Sequence, residues 1–334
     1  MSRQAFVTGA SGFVGSNLVR ELHHQGWQIH VLVRPGSSLE DIADVPMEVH
    51  RGDIVSSASV RDAMPPDVDA VFHMAASTNV WSGNNDEQDR INIGGTRDVI
   101  EAAVAARARR FIHTSSFTTW GFQDVTITEH SPRTADSDWI NYVRTKYIAE
   151  QLVEEAVRSG RLDAVILNPG HILGPGDRRN WSRMISLVDK GKLPGVPPGS
   201  GPFADVREVA RAHIQAFHRG ESGEKYLLGG EVVSFLEVIR ITGDILSRKV
   251  PGKPTPAWVM KAAARVYSLW SMMTGREPDL TPESAAMITR SLLCDSSRAQ
   301  RELDYRFTPV DSLLRETIEW MRSAGMLGQA ENRA

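Results

Sequence analysis

Tyr142 and Lys146 stand four residues apart in a stretch with helical patterning, which puts both side chains on one face, one above the other. A phenol near its ordinary pKa of about 10 is a poor acid or base at pH 7. A neighbouring ammonium favours the phenolate and lowers that pKa. The pair can then exchange a proton with a carbonyl or alcohol oxygen. The spacing alone also fits a plain helix surface, so the surroundings decide. Arg110–Thr114 reads as a strand that runs into Ser115-Ser116. A hydroxyl at the carboxyl end of such a strand can hold a substrate oxygen. Either serine of the pair can serve, and such a pair after a strand also fits turn chemistry.

A second chemical feature opens the chain. Gly9, Gly12 and Gly15 lie in Thr8-Gly9-Ala10-Ser11-Gly12-Phe13-Val14-Gly15, directly behind the apolar Ala5-Phe6-Val7. Strand, tight glycine turn and helix bind the pyrophosphate of a dinucleotide. The helix start adds free N–H groups and the positive end of its dipole. The second strand ends Val33-Arg34-Pro35-Gly36-Ser37-Ser38. An acidic residue there would hold a ribose 2′-hydroxyl and reject a 2′-phosphate. Arg34 stands in its place, and a guanidinium suits a phosphate, with Ser37 and Ser38 as further donors. NADP(H) is therefore the preferred cofactor, with NAD(H) the alternative.

These residues need a frame. Strands are predicted at Gln4–Thr8, Ile29–Val33, Met47–His50, Ala70–His73, Arg110–Thr114 and Ala164–Leu167. Helical patterns fall at 13–25, 57–63, 87–107, 139–159, 180–190 and 205–219. Such alternation predicts an α/β, Rossmann-type doubly wound parallel sheet. After residue 170 the texture changes. Gly and Pro cluster in Gly174-Pro175-Gly176 and Leu193-Pro194-Gly195-Val196-Pro197-Pro198-Gly199. Helices follow at 234–247, 256–273, 281–290 and 309–324. The expectation is a dinucleotide-binding domain over 1–170, with parts of 200–230 returning to it. A smaller, mostly helical substrate lobe takes 171–330, and the tail after Gly325 frays.

Taken in order, Thr8–Gly15, Thr114-Ser115-Ser116 and Tyr142-x-x-x-Lys146 resemble the extended short-chain dehydrogenase/reductase superfamily. Gly52-Asp53-Ile54, His73-Met74-Ala75-Ala76, Asn92-x-x-Gly95-Thr96 and Asn168-Pro169-Gly170 resemble further segments of that family, as does Asp295-Ser296-Ser297-Arg298-Ala299 near the end. The resemblance implies a catalytic triad of Ser116, Tyr142 and Lys146. It implies cofactor contacts from Gly9, Ser11, Gly12, Phe13, Val14, Gly15, Arg34, Asp53, Ile54, Ala75, Ala76, Tyr142, Lys146, Pro169 and Gly170. It also implies a homodimer through the helices at 87–107 and 139–159.

Within that branch Trp81, Phe117, Trp120 and His171 are candidate substrate residues. With Phe122 and the helix at 256–273 they resemble the dihydroflavonol-reductase and 3β-hydroxysteroid-dehydrogenase-like group, which handles apolar ketones and alcohols. The same aromatics also fit plain packing. The Met- and Trp-rich helix can face substrate, a partner or a membrane surface. Two other readings stay open: a sugar-nucleotide epimerase or dehydratase with tightly held NAD, and a cofactor-sensing protein without turnover. The 334 residues carry a net charge of -3 and no basic run of five, which argues against nucleic acid as the main partner. The single cysteine, Cys294, excludes an internal disulfide and fits a reducing cytoplasm. No signal peptide and no transmembrane segment are expected. No spacing among the ten histidines reads as a metal motif.

Overall fold

The computed structural model describes residues 2–328. The first half alternates strand and helix: β1 (Gln4–Thr8), α1 (Phe13–His24), β2 (Gln28–Val33), β3 (Glu48–Arg51), α2 (Ser57–Ala63) and β4 (Ala70–His73). A broken helix follows as α3 (Asn85–Asp89) and α4 (Thr96–Ala105), then β5 (Arg110–Thr114), β6 (Thr126–Ile127), α5 (Asn141–Arg158) and β7 (Ala164–Pro169). Next come β8 (His171–Leu173), α6 (Trp181–Asp189), β9 (Ser200–Asp205), α7 (Val206–Arg219), β10 (Lys225–Leu228), β11 (Glu231–Ser234) and α8 (Phe235–Leu246). The chain closes with α9 (Ala257–Thr274), α10 (Pro282–Ile288), β12 (Leu293–Cys294), α11 (Ser297–Leu303) and α12 (Val310–Ser323).

Seven strands form one parallel sheet in the order β10-β7-β5-β4-β1-β2-β3. Successive strand residues point to opposite faces, and both faces are apolar. Ala5, Val7, Phe72 and Ile112 pack under α1 and α7, while Phe6, Val71, Phe111 and Ile166 pack under α2, α4 and α5. The strand order reverses between β1 and β4. Sheets of this order bind their ligands at such a reversal, in a crevice outside the carboxyl ends of the strands.

The glycine turn is set by contact distances. Gly9 takes φ +77°, and a Cβ on it would stand 2.7 Å from the Ala75 backbone nitrogen. A Cβ on Gly15 would stand 2.1 Å from the Gly9 carbonyl oxygen. The close approach of α1 to β1 therefore requires glycine at 15, and the close approach of the segment after β4 requires it at 9.

Two features depart from the sequence expectation. The seventh strand, β10, and the three-stranded sheet β11-β9-β8 were not predicted. β9 reads as a loop because it holds Gly201 and Pro202, yet a Cβ at Gly201 would lie 2.5 Å from the His171 ring, so glycine admits that ring. The helix predicted over 87–107 contains a π turn at Arg90–Gly95. There Asn92 accepts the Ser77 N–H at 2.7 Å and donates to Ser77 and Thr145, and Thr96 donates back to the Asn92 carbonyl. The tail is less frayed than expected as far as it is described. Leu327 is buried with Leu314, Ile318 and Met321, while residues 329–334 lie outside the described span.

Gly15→Ala drives a methyl into backbone and is expected to cost ~3 kcal/mol or more in urea unfolding. Gly94→Ala, in open space on the π turn, is expected to change stability by under about 1 kcal/mol.

Candidate active site

Lys146 and Tyr142 lie on α5 and face the end of β5. The Lys146 ammonium donates to the Thr114 carbonyl at 2.7 Å. Burial pulls its pKa down to about 8, against the pull of Glu150. Tyr142 stands beside the Ser116 hydroxyl. Burial raises the phenol above its ordinary range and the Ser116 hydrogen bond partly offsets that. Burial outweighs the lowering expected at Tyr142, and the Lys146 ammonium donates to the Thr114 carbonyl.

The two serines separate cleanly. Ser115 donates to the Glu150 carboxylate at 2.6 Å. Ser116 caps the short turn Phe117–Trp120 and accepts from the Thr118 hydroxyl at 2.9 Å. It is Ser116 that faces Tyr142. Under both serines lies a network that sequence reasoning missed. Glu150 is fully buried and also accepts from Asn168 at 2.9 Å and from the Arg133 guanidinium. Arg133 in turn lies over the Tyr147 ring at 4.6 Å. The one sequence signal was the i,i+4 spacing of Glu150 from Lys146.

A layer of neutral histidines supports the strand ends. His73 Nδ1 pairs with the Thr8 hydroxyl at 2.8 Å and Nε2 with Thr96 at 3.0 Å. Thr96 donates its proton to Asn92, so His73 carries its hydrogen on Nε2. His213 donates from Nδ1 to the Val209 carbonyl and accepts from the Thr114 hydroxyl at 2.7 Å. Burial lowers His73 to about 3 and His213 to about 4. His113 stacks on His73 at 5.4 Å, and neither of its ring nitrogens has a partner among the described residues.

The cofactor candidates line the crevice edge. Gly12 begins α1 with no side-chain cap and no acidic residue in the first turn, so its N–H groups face outward beside Ser11, Phe13 and Val14. The Ala75 N–H donates to Thr8 at 3.3 Å, and Ile54 packs on Gly95. Asp53 accepts from the Val55 N–H, Ala76 is half-buried after β4, and Pro169 and Gly170 close β7. Arg34 is exposed, and its guanidinium has no partner among the described residues. Arg51, which sequence reasoning passed over, donates to the Arg34 and Ser37 carbonyls at 3.4 and 3.0 Å and so holds that loop. The cradle left by Gly9 and Gly15 and the uncapped helix start fit a dinucleotide.

The substrate-side candidates divide. His171 sits among Phe117, Trp181, Phe203 and Phe235, with ring centroids 5.3–5.9 Å away, and burial lowers it to about 4. Trp120 is a correction: it is fully buried in a core cluster with Ile127, Leu227, Leu292 and Phe117 itself. Trp81 lines a cavity of about 380 Å³ with Ser82, Gly83, Ser268, Ser271, Met272 and Gly275, a lining that holds no triad residue. α9 leaves Trp258, Val266, Leu269, Trp270, Met272 and Met273 exposed, and no helix among the described residues is long and apolar enough to cross a membrane. Burial pushes the Cys294 thiol up to about 12, which suits a packed thiol rather than a nucleophile.

The family model described as NAD dependent epimerase/dehydratase family matches residues 5–229. Sterol demethylase protein B of Methylococcus capsulatus is 29% identical over 327 residues, covering 96% of this chain and 99% of that protein. A 4-hydroxy-2-methyl-3-oxo-4-farnesyl-3,4-dihydroquinoline-1-oxide ketoreductase of Stigmatella aurantiaca is 28% identical over 337 residues, covering 98% of each. The crystal structure of gox2253 superposes with a TM-score of 0.85 at 31% identity, over 98% of this chain and 100% of that one.

Two predictions follow from this geometry. Arg133→Met leaves the buried Glu150 charge short of its cation and should cost ~3–5 kcal/mol in urea unfolding. The second concerns pH. His73, His171 and His213 bind protons more weakly folded than unfolded, where 6.5 is the ordinary value. Between pH 6.5 and 5 the unfolded chain therefore holds more protons. Stability is full above pH 6.5 and falls as pH drops, by up to ~1.4 kcal/mol per pH unit per histidine. Urea midpoints across that window should fall steeply, and because burial lowers His113 as well, His213→Gln should flatten the slope by about one quarter.

Proposed function

We propose, on the premise that the chain belongs to the NAD-dependent epimerase/dehydratase family of extended short-chain dehydrogenases/reductases and is an NAD(P)-dependent enzyme, that it reduces a ketone, or oxidises a secondary alcohol, on a fairly apolar substrate with NADP(H). The observation that carries this reading is Ser116 beside Tyr142 at the end of β5, one helical turn from Lys146.

The dinucleotide supplies or accepts the hydride when bound. The protein's own residues do the rest. Tyr142, kept protonated by burial, gives its proton to the substrate oxygen in reduction and takes it back in oxidation. Ser116 holds that oxygen by a hydrogen bond. Lys146 supplies positive charge beside the phenol and a donor for the nicotinamide ribose. The N–H groups at the start of α1 hold the pyrophosphate, and Asp53, Ile54, Ala75, Ala76, Pro169 and Gly170 flank the cofactor. Arg34, on the loop that Arg51 fastens, takes the 2′-phosphate. Phe117 and His171 belong to an aromatic group that favours an apolar substrate. The farnesylated quinoline substrate in the Stigmatella relative's name fits the same class.

On this reading residues 1–170, with parts of 200–230, bind cofactor and 171–330 mainly bind substrate. The protein works in the cytoplasm as a homodimer through α4 and α5.

Tryptophan fluorescence titration tests the cofactor half. NADPH should bind at least about tenfold tighter than NADH, ~1.4 kcal/mol, and Arg34→Glu should erase the gap. Tyr142→Phe should lower ketone turnover by about 100-fold or more while leaving the NADPH Kd unchanged. Protein that purifies with NAD locked in and turns over no NADPH speaks for a sugar-nucleotide epimerase or dehydratase instead. Tyr142→Phe without effect on the biological role speaks for a cofactor sensor.

A further inference from the structure

The register of β2 on β3 sets His30 opposite Glu48 and Leu32 opposite His50. Side chains two apart on a strand share a face, so His30, Glu48 and His50 stand together at the edge of the seven-stranded sheet, on the side away from α1 and α7. His30 Nδ1 lies 3.3 Å from one Glu48 oxygen, and His50 Nε2 lies 3.3 Å from the other. The two rings are stacked, with centroids 5.9 Å apart and 18° between their planes. Both facing nitrogens are buried and neither makes a hydrogen bond. One donor atom from each of the three residues lies within 4.8 Å of the other two. Two imidazoles thus converge on one carboxylate.

We propose that His30, Glu48 and His50 form a binding site for one divalent transition-metal ion of the zinc class. The donor set is two imidazole nitrogens and one carboxylate oxygen. That set suits zinc, cobalt or nickel, whereas magnesium and calcium take oxygen cages. Three protein ligands leave a fourth position to water. Burial outweighs the Glu48 charge at His30 and lowers its pKa, which favours the neutral ring that a metal requires. Glu48 is largely exposed, so an ion enters from solvent. The sequence hides this group because its members sit on different strands, with no motif spacing between them. A bound ion fastens the edge strand β3 to β2. Arg51, the next residue on β3, holds the loop that carries Arg34, so the clamp adjoins the cofactor edge of the crevice.

Untagged, chelator-treated protein titrated with Zn²⁺ by calorimetry, and with Co²⁺ by visible absorbance, tests the site. One equivalent should bind with Kd below about 10 μM, and His50→Ala and Glu48→Gln should each weaken it by more than about tenfold. The double variant His23→Ala/His24→Ala, which removes the paired histidines at the end of α1, should bind like the wild type. Thermal midpoints without metal establish that each variant is folded, and Glu48→Gln carries the test if His50→Ala is not. No saturable uptake by about 100 μM, binding that survives both site variants, or binding that follows His23 and His24 overturns the proposal.

Discussion

One buried carboxylate ties the reactive end of this molecule together. Glu150 sits on α5 with no solvent contact, and its oxygens are held by Ser115 at the end of β5, Asn168 near the end of β7 and Arg133 from the connection before α5. A charge in that position is tolerable only while its partners stay in place. The two strand ends carry Ser116 and the Pro169-Gly170 loop, and α5 itself carries the Tyr142–Lys146 pair. Fixing Glu150 therefore fixes the relative positions of three separately encoded pieces of the crevice, and no piece can shift without stranding the charge.

The strand ends are held in a second way, by neutral hydrogen bonds. His73 joins Thr8 of β1 to Thr96 of α4, and His213 joins Thr114 of β5 to α7. Each imidazole uses one nitrogen as donor and the other as acceptor, an arrangement open only to the uncharged ring. The Lys146 ammonium further discourages protonation of His73 and of the neighbouring His113. The positive charge next to Tyr142 is thus concentrated on one side chain instead of being spread over a histidine cluster.

What could be read from the sequence was what depends on neighbours along the chain. Gly9, Gly12 and Gly15 act within one turn, and Tyr142 and Lys146 within one helical turn. The strands that bury both faces announce themselves as apolar runs. The features that stayed hidden depend on pairing between distant segments. β10 is four residues long and becomes a strand only beside β7. β9 looks like a loop until the His171 ring explains Gly201. Glu150 looks like any charged helix residue until Ser115 and Asn168 meet it. Phe117 and Trp120 look like pocket aromatics in the sequence, yet both pack into one core cluster with Ile127, Leu227 and Leu292, and Phe117 also meets the His171 ring.

The π turn at Arg90–Gly95 carries a consequence of phase. An α-helix advances 100° per residue, so one residue accommodated in a widened turn resets which side of the helix every later residue faces. α3 presents Gln88 and Asp89 to Asn141 at the start of α5, while α4 presents Val99, Ala102 and Ala103 to the sheet side. A single uninterrupted helix could not aim both sets correctly with this sequence. Shortening the turn by one residue would keep every amino acid type on α4 and yet rotate its apolar stripe off the sheet. The molecule has in effect two helices that share an axis and differ in angular origin, and Asn92 marks the zero between them.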